Sequence, residues 1–306
     1  MSLVVIGTVA FDAIETPFGK TDKIVGGAAT YASIAASYFY NKTKIVAVVG
    51  DDFPEKDIEH FHHRGISTDG LQIKQREKSF FWSGKYHNDL NSRDTLVTEL
   101  NVLADFDPII PESYQDCEYL LLGNLTPKVQ QTVIERMQKR PKLIVMDTMN
   151  FWMDIAMDDL KTTISMVDIL TINDAEARQL SGEYSLVKAA NKILTMGPKY
   201  LIIKKGEHGA LLFYENNIFS APALPLEEVF DPTGAGDTFA GGFIGYIAKT
   251  GDISYENMKR AIIHGSAMAS FCVEKFGSER INDLTDAELN ERLQAFVNLS
   301  AFEIKA

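Results

Sequence analysis

The stretch Asp231-Pro232-Thr233-Gly234-Ala235-Gly236-Asp237 places three small residues between two carboxylates, just ahead of an apolar run that ends at Ile247. Small side chains at Gly234, Ala235 and Gly236 let backbone N–H groups approach an anion closely. The helix expected from the following run aims its positive dipole end at the same place. Asp237 is a poor choice for a site that only holds phosphate, but it makes sense as a base that takes the proton from a hydroxyl attacking that phosphate. The same spacing can be read as a Gly-rich turn in which Asp237 is an ordinary helix N-cap.

Other groups could complete such chemistry. In Asn173-Asp174-Ala175-Glu176, two oxygen-bearing side chains three apart share one face of a helix start, which suits a hydrated Mg²⁺ and equally suits a capping box. Asp12, shortly after the first apolar run, is an acceptor-only group able to grip hydroxyls. Gly26 and Gly27 bring backbone close to whatever lies beside them, with Thr30 and Tyr31 in the next turn. Asn124, Asp147 and Asn150 follow apolar runs as further contacts. In Lys204-Lys205-Gly206-Glu207-His208-Gly209 a lysine could offset triphosphate charge, or the pair could simply be solvated. Trp82, Tyr86, Asn91 and Arg93 combine aromatic surface with polar tips, suited to stacking on a ring and binding hydroxyls or phosphate, to covering the core, or to a contact with a second copy.

Taken in order, these motifs resemble the PfkB/ribokinase family of carbohydrate and nucleoside kinases over nearly the whole chain, and residues 231–244 match that family's C-terminal signature. The resemblance implies that Asp237 is the catalytic base and that Gly234, Ala235 and Gly236 form the anion hole. It also implies that Asp231 belongs to a monovalent-cation (K⁺) loop, closed near Gly277 and Ser278, and that Asn173 and Glu176 serve Mg²⁺. Asp12, Gly26 and Gly27 would hold the sugar, with Tyr31, Trp82, Arg93 and Asn124 as further acceptor contacts. Lys204, Gly206, Gly209 and Thr233 would serve ATP. Where family members often carry an Asn that contacts the sugar, this chain offers Thr30 and Tyr31, so the resemblance implies kinase chemistry more firmly than a particular acceptor. A sugar hydroxyl, a primary alcohol, is the first reading. A nucleoside of the adenosine, inosine or cytidine type is the second, and a non-catalytic nucleotide or sugar sensor the third. The intact Asp237 argues against a sensor.

Positioning these residues requires strands that end where the polar groups begin. Apolar runs at residues 3–6, 44–49, 119–122, 143–146, 169–172 and 200–203 alternate with amphipathic or small-residue stretches at 28–36, 127–138, 175–180 and 185–196. That rhythm predicts an α/β fold with a doubly wound, mostly parallel sheet covered by helices on both faces. Ligands in such folds lie beyond the carboxyl ends of the strands. The aromatic run at 78–87 breaks the rhythm and predicts a small β-sheet lid, built from about residues 11–24 and 76–102 and inserted in a single kinase domain spanning 1–306. Residues 264–270 predict a helix of small residues. Two features are decoys. Gly19-Lys20-Thr21 lacks the upstream Gly of a phosphate-binding P-loop and reads as a turn, and His60, His62 and His63 read as one solvated helix face.

Composition sets outer bounds. The 306 residues carry 30 Lys+Arg against 42 Asp+Glu, for a net charge of −12, and no basic block. This disfavours a nucleic-acid partner, whose binding needs clustered cations. No run approaches the roughly 18 apolar residues of a membrane span. Cys117 and Cys272 have no metal-ligand spacing or disulfide framework, and the N-terminus has no signal-peptide pattern, so a cytoplasmic protein is expected. A homodimer through the lid is a further expectation.

Overall fold

A computed structural model of the chain describes residues 2–301 and Glu303. Its strands are β1 (Leu3–Ile6), β2 (Ala10–Thr16), β3 (Gly19–Lys20), β4 (Ile24–Gly26), β5 (Thr43–Gly50), β6 (Ser67–Lys74), β7 (Phe81–Tyr86), β8 (Arg93–Glu99), β9 (Tyr119–Leu122), β10 (Leu143–Asp147), β11 (Ile169–Asn173), β12 (Tyr200–Lys204), β13 (Ala210–Tyr214) and β14 (Asn217–Ala221). The continuous Val/Ile/Leu runs are strands buried on both faces, as an α/β sheet requires. They form one nine-stranded sheet in the order β14-β13-β12-β11-β10-β9-β1-β5-β6. It is parallel from β6 to β12, and β12-β13 and β13-β14 are antiparallel. From β1 the chain runs outward through β5 and β6, then returns to lay β9 on the other side of β1. The strand order therefore switches at β1, and the carboxyl ends of β1 and β9 open a crevice there.

Each run predicted from apolar residues is a strand; three of them extend one residue further, to the polar Asp147, Asn173 and Lys204, and the run at 44–49 extends by one residue at each end, to Thr43 and Gly50. The hydrophobic pattern stops where the side chain becomes polar, while the ladder of hydrogen bonds continues. β6, β13 and β14 lie outside the predicted runs: β6 and β14 mix polar and apolar residues because they form the sheet's two edges.

The lid is a second sheet in the order β3-β2-β7-β8, with β4 also paired to β2. β2 and β7 are parallel and the other pairs antiparallel. Gly19 and Lys20 form the short strand β3 rather than a turn, so the P-loop-like triplet is part of the lid. The three histidines sit on the helix Glu55–His63, where His60 pairs with Asn282 and His62 with Thr68.

Two helices deliver the two halves of the crevice. Ala28–Ser37 starts at Gly27 and Ala235–Thr250 starts at Gly234. They meet along a seam with almost no side chain between them. A Cβ on Gly241 would lie 2.1 Å from the Ala32 carbonyl oxygen, and one on Gly245 would lie 2.7 Å from Ala36 Cα. The obstacle at Gly241 is backbone, so it cannot rotate away. Gly241→Val should cost about 1–3 kcal/mol of stability by forcing the helices apart, measured as a lower denaturation midpoint at unchanged slope. The expected small-residue helix is in the C-terminal half of Tyr255–Cys272, which packs Gly265 against Phe239 and Met268 against Gly242. No helix among the described residues is long and apolar enough to cross a membrane.

Candidate active site

Gly234 caps the helix Ala235–Thr250 in the left-handed conformation, with φ of 74°. Its own carbonyl accepts the Thr238 N–H at 2.8 Å, so Asp237 stands in the first turn and is not the N-cap. This removes the capping explanation and leaves the carboxylate beside an open helix start. Glycine is required at 234 for two reasons: the positive φ, and the ring of Tyr31, three of whose atoms would lie 2.5 Å from any Cβ.

Asp231 anchors the loop from below. It is fully buried and accepts two backbone N–H groups, Thr233 at 2.8 Å and Gly277 at 2.9 Å. The anion-hole loop is thus tied to the turn that the sequence pairs with it. Burial raises the Asp231 carboxyl above its ordinary range, although these two hydrogen bonds oppose the shift.

The acceptor side is built by β2 and β4. Asp12 is 5 % exposed and lies directly against Gly26, where a Cβ would fall 1.9 Å from Oδ2. Gly27, at φ 95°, brings the chain so close to Thr8 that a Cβ would sit 2.4 Å from the Thr8 carbonyl oxygen. Thr8 in turn accepts the Ala28 and Ala29 N–H groups through its hydroxyl and carbonyl. Thr30 donates to the Gly26 carbonyl at 2.7 Å and is buried, so it offers nothing to an acceptor. Tyr31 lies behind Gly234 with only 1 % of its surface exposed and its hydroxyl without a hydrogen-bond partner among the described residues. In this arrangement it supports the anion loop and presents no surface to a substrate. Asn124 accepts from Trp152 Nε1 at 2.8 Å and directs its NH₂ at Met149 Sδ, so its amide is engaged at both ends.

On the nucleotide side, Lys204 Nζ donates to Asp147 Oδ2 at 2.6 Å, and it would stand 3.1 Å from a Cβ on Gly236. Lys204 is therefore an inward-facing charge beside the Gly234–Gly236 loop, not a solvated strand end. Asn173 and Glu176 do form the capping box: Asn173 Oδ1 accepts the Glu176 N–H at 2.8 Å and Glu176 Oε2 accepts the Asn173 N–H at 2.7 Å. Glu176 Oε1 makes no hydrogen bond among the described residues. Gly206 and Gly209 both have positive φ. Gly209 must be glycine because the Ala221 carbonyl would lie 2.1 Å from a Cβ, whereas Gly206 faces Asn91 of the lid.

The lid reaches over this assembly. Tyr86 is buried and its hydroxyl accepts from Thr233 Oγ1 at 3.2 Å. Trp82 folds over Gly84, donates to Thr95 Oγ1 at 3.3 Å, and lies 5.6 Å from the Arg93 guanidinium. The Tyr86–Thr233 link between lid and anion loop is not legible from spacing, since the two residues are 147 apart in sequence.

Electrostatically the site is overloaded with carboxylates. Burial, with repulsion from Asp147, pushes Asp237 up to about 7 even though Lys204 and Arg93 pull the other way. Burial, with Asp231 and Asp237 nearby, pushes Asp12 to about 7, and burial does the same for Glu176. Groups raised in this way bind protons more tightly folded than unfolded, where a carboxyl titrates near about 4. Their contribution to stability is complete below that value and is lost as pH rises through about 7. Thermal unfolding of the ligand-free protein should therefore show this contribution declining between about pH 4 and 7, and Asp12→Asn should flatten the decline. An Asp12→Asn curve with the wild-type slope would contradict the shift at this residue.

A glycine-lined helix start, a half-buried carboxylate with a raised pKa and an inward lysine are the groups that phosphoryl transfer needs. Residues 2–284 match the family described as pfkB family carbohydrate kinase, and the chain belongs to that family. Over 248 residues it is 33% identical to a cytidine kinase of Thermococcus kodakarensis, covering 80% of this chain and 87% of that protein. It is 24% identical to a ribokinase of Lactococcus lactis over 290 residues, or 90% and 91% of the two chains. In fold it resembles a putative ribokinase II from E. coli at a TM-score of 0.79, with 20% identity, covering 97% of this chain and 99% of that one. The ribokinase-like architecture and the kinase class both hold.

Proposed function

We propose that this kinase transfers the γ-phosphoryl group of ATP to a hydroxyl, a primary alcohol, of a nucleoside. The observation that carries the chemistry is Asp237, half-buried, raised to about 7 and set in the first turn behind Gly234. Asp237 takes the proton of the acceptor hydroxyl as its oxygen bonds to the γ-phosphorus. The bond from that phosphorus to the β–γ bridging oxygen breaks, and the electron pair leaves with ADP. Backbone N–H groups of Gly234 and Gly236 face the charge that develops on the transferring group, with Lys204 beneath them, while the Ala235 N–H donates to the Pro232 carbonyl at 3.2 Å and closes the turn. Asp12, Gly26 and Gly27 hold the acceptor, and Thr233, Gly206 and Gly209 shape the nucleotide side. Lid residues exclude water, which limits wasteful hydrolysis.

Mg²⁺ fits the residues present. Glu176 keeps one carboxylate oxygen free, Asn173 is beside it, and no cluster of three or more His, Cys, Asp or Glu among the described residues forms a protein-only cage. Such a donor set suits a cation that retains water, held by Asn173 through water and by Glu176, and when bound it would supply positive charge to the phosphates. K⁺ beside the Asp231 loop is part of the same reading. It is supported by the two loops that Asp231 clamps, and removal of K⁺ should lower turnover without unfolding the protein.

A nucleoside is favoured over a free sugar because the cytidine kinase shares 33% identity across most of both chains. Within this chain, Thr30 and Tyr31 turn away from the acceptor side, while the partly exposed Trp82 supplies aromatic surface in the lid. Ribose or another sugar remains the second reading, supported by the ribokinase match. Acceptor-dependent ADP release across nucleosides, pentoses, hexoses and sugar phosphates tests the choice. Cytidine or another nucleoside should give the highest kcat/KM, and ribose exceeding every nucleoside would overturn it.

The lid of residues 11–24 and 76–102 belongs, in this reading, to one kinase unit spanning 1–306. β8 is exposed at every residue, and Leu96, Val97 and Leu100 are 55%, 41% and 50% exposed. An exposed edge strand with Leu96 and Val97 at its middle leaves its backbone hydrogen-bonding groups open to a covering strand, and a second copy of the chain supplies one. Val97→Lys should shift the protein from dimer to monomer in sedimentation, and an unchanged mass would exclude this face. The setting is the cytoplasm, consistent with Cys117 and Cys272 being free, buried thiols.

A further inference from the structure

Lys204 could satisfy its charge in three ways. Asp147, Glu176 and Asp237 all act on it electrostatically, and it has a direct ion pair with Asp147 alone. That choice matters for the reaction. A lysine paired to Asp237 would hold the base in its ionised form and block it from taking a proton. A lysine paired to Glu176 would neutralise the carboxylate proposed to serve Mg²⁺. Two hydrogen bonds fix Asp147 in place. Its Oδ1 accepts the Thr148 N–H at 2.8 Å, and its carbonyl accepts Gln130 Nε2 at 3.0 Å. Oδ2 is thereby aimed at Nζ at 2.6 Å. Both residues close central strands, β10 and β12, which leaves the pair little freedom. An ammonium group has three donors, and one bond to Asp147 leaves two for an anion beside Gly236.

From this geometry we infer that Asp147 is a positioning residue, whose ion pair presents Lys204 to the terminal phosphate at the anion hole and keeps it off the base Asp237. This rests on the kinase reading above and adds to it a residue that never touches substrate. It makes a prediction with an unexpected sign. Removing a negative charge from an acidic site should, by simple electrostatics, tighten the binding of an anion. Removing Asp147 should instead weaken the binding of the terminal phosphate, because Lys204 moves to Glu176 or Asp237.

The experiment is calorimetric titration of the full chain with ATP and with ADP in the absence of divalent cations, reading the ratio of the two affinities. Asp147→Asn keeps the shape and the acceptor for Thr148. It should lower the ATP-to-ADP ratio about fivefold or more, on the scale of one charge-assisted hydrogen bond. Lys204→Met should lower the ratio as well, and Asp147→Asn added to Lys204→Met should lower it no further. In turnover, Asp147→Asn should reduce kcat while leaving KM for the acceptor near wild type. A ratio that is unchanged or increased in Asp147→Asn overturns the inference, as do losses that multiply in the double variant. If Asp147→Asn does not fold, Lys204→Met decides: an undiminished ratio there overturns it too. Failure of the kinase reading looks different, since wild type would then show no acceptor-dependent turnover while these affinity ratios could still be measured.

Discussion

Asp237→Asn should bind ATP like the wild type and lose about a thousandfold in kcat, within the usual contribution of a positioned general base. The substitution keeps the size and hydrogen-bonding reach of the side chain, so the helix Ala235–Thr250 should start in the same place. It removes only the ability to accept a proton. Because burial and Asp147 push the Asp237 carboxyl up to about 7, the wild-type rate should rise with pH as this group ionises and level off above that value. The residual rate of the variant should lack this limb. Initial rates between about pH 5 and 9 at saturating ATP test both statements. A variant with a normal rate, or one that keeps the limb, would assign the titration to Asp12 or Glu176, which lie in the same range.

The second large effect is expected at Gly234. Gly234→Ala forces a residue with a Cβ into a left-handed conformation and drives that Cβ into the Tyr31 ring, 2.5 Å from three of its atoms. The ring cannot yield easily, since Tyr31 is buried on a helix locked against Ala235–Thr250. The loop must move instead, carrying the Gly236 N–H group away from the phosphoryl position. A loss of about 10²–10³ in kcat is expected, the scale for removing an oxyanion-hole donor. KM for the acceptor should change much less, because Asp12 and Gly26 are untouched. Steady-state kinetics on Gly234→Ala, with a thermal-unfolding control, separate this from simple destabilisation. Equal changes in kcat and in both KM values would mean the whole site had collapsed.

These effects show what can and cannot be read in the sequence. The helix start proposed here as anion hole and base is legible as a local shape, because Gly-Ala-Gly-Asp ahead of an apolar run marks a glycine-led helix start with a carboxylate beside it. The sheet is legible because strands buried on both faces are continuous apolar runs, and β1 and β9 follow those runs residue for residue. What escapes has a common cause. A polar residue ending a buried strand looks like the start of a loop, so the pattern puts Asp147, Asn173 and Lys204 just outside elements of which they are the last residue. Their firm attachment to strands is what makes them useful. Tyr31 misleads in another way: a tyrosine after a double glycine suggests a substrate contact, but the glycine at 234 is the partner its ring fits. Pairings across long sequence separations, such as Tyr86 with Thr233 and Lys204 with Asp147, leave no trace in local spacing. Only the approach of lid to anion loop and of β10 to β12 reveals them.

The central claim is that ATP's terminal phosphoryl group ends on an acceptor hydroxyl with Asp237 taking the proton. It is tested most directly by ³¹P NMR of the products formed from Mg-ATP and cytidine, K⁺ present, with the wild type and with Asp237→Asn in parallel. The account expects the wild type to make ADP and a nucleoside monophosphate ester in equal amounts, and the variant to make almost neither. ADP accompanied only by orthophosphate, or a monophosphate ester formed equally fast by the variant, would contradict it.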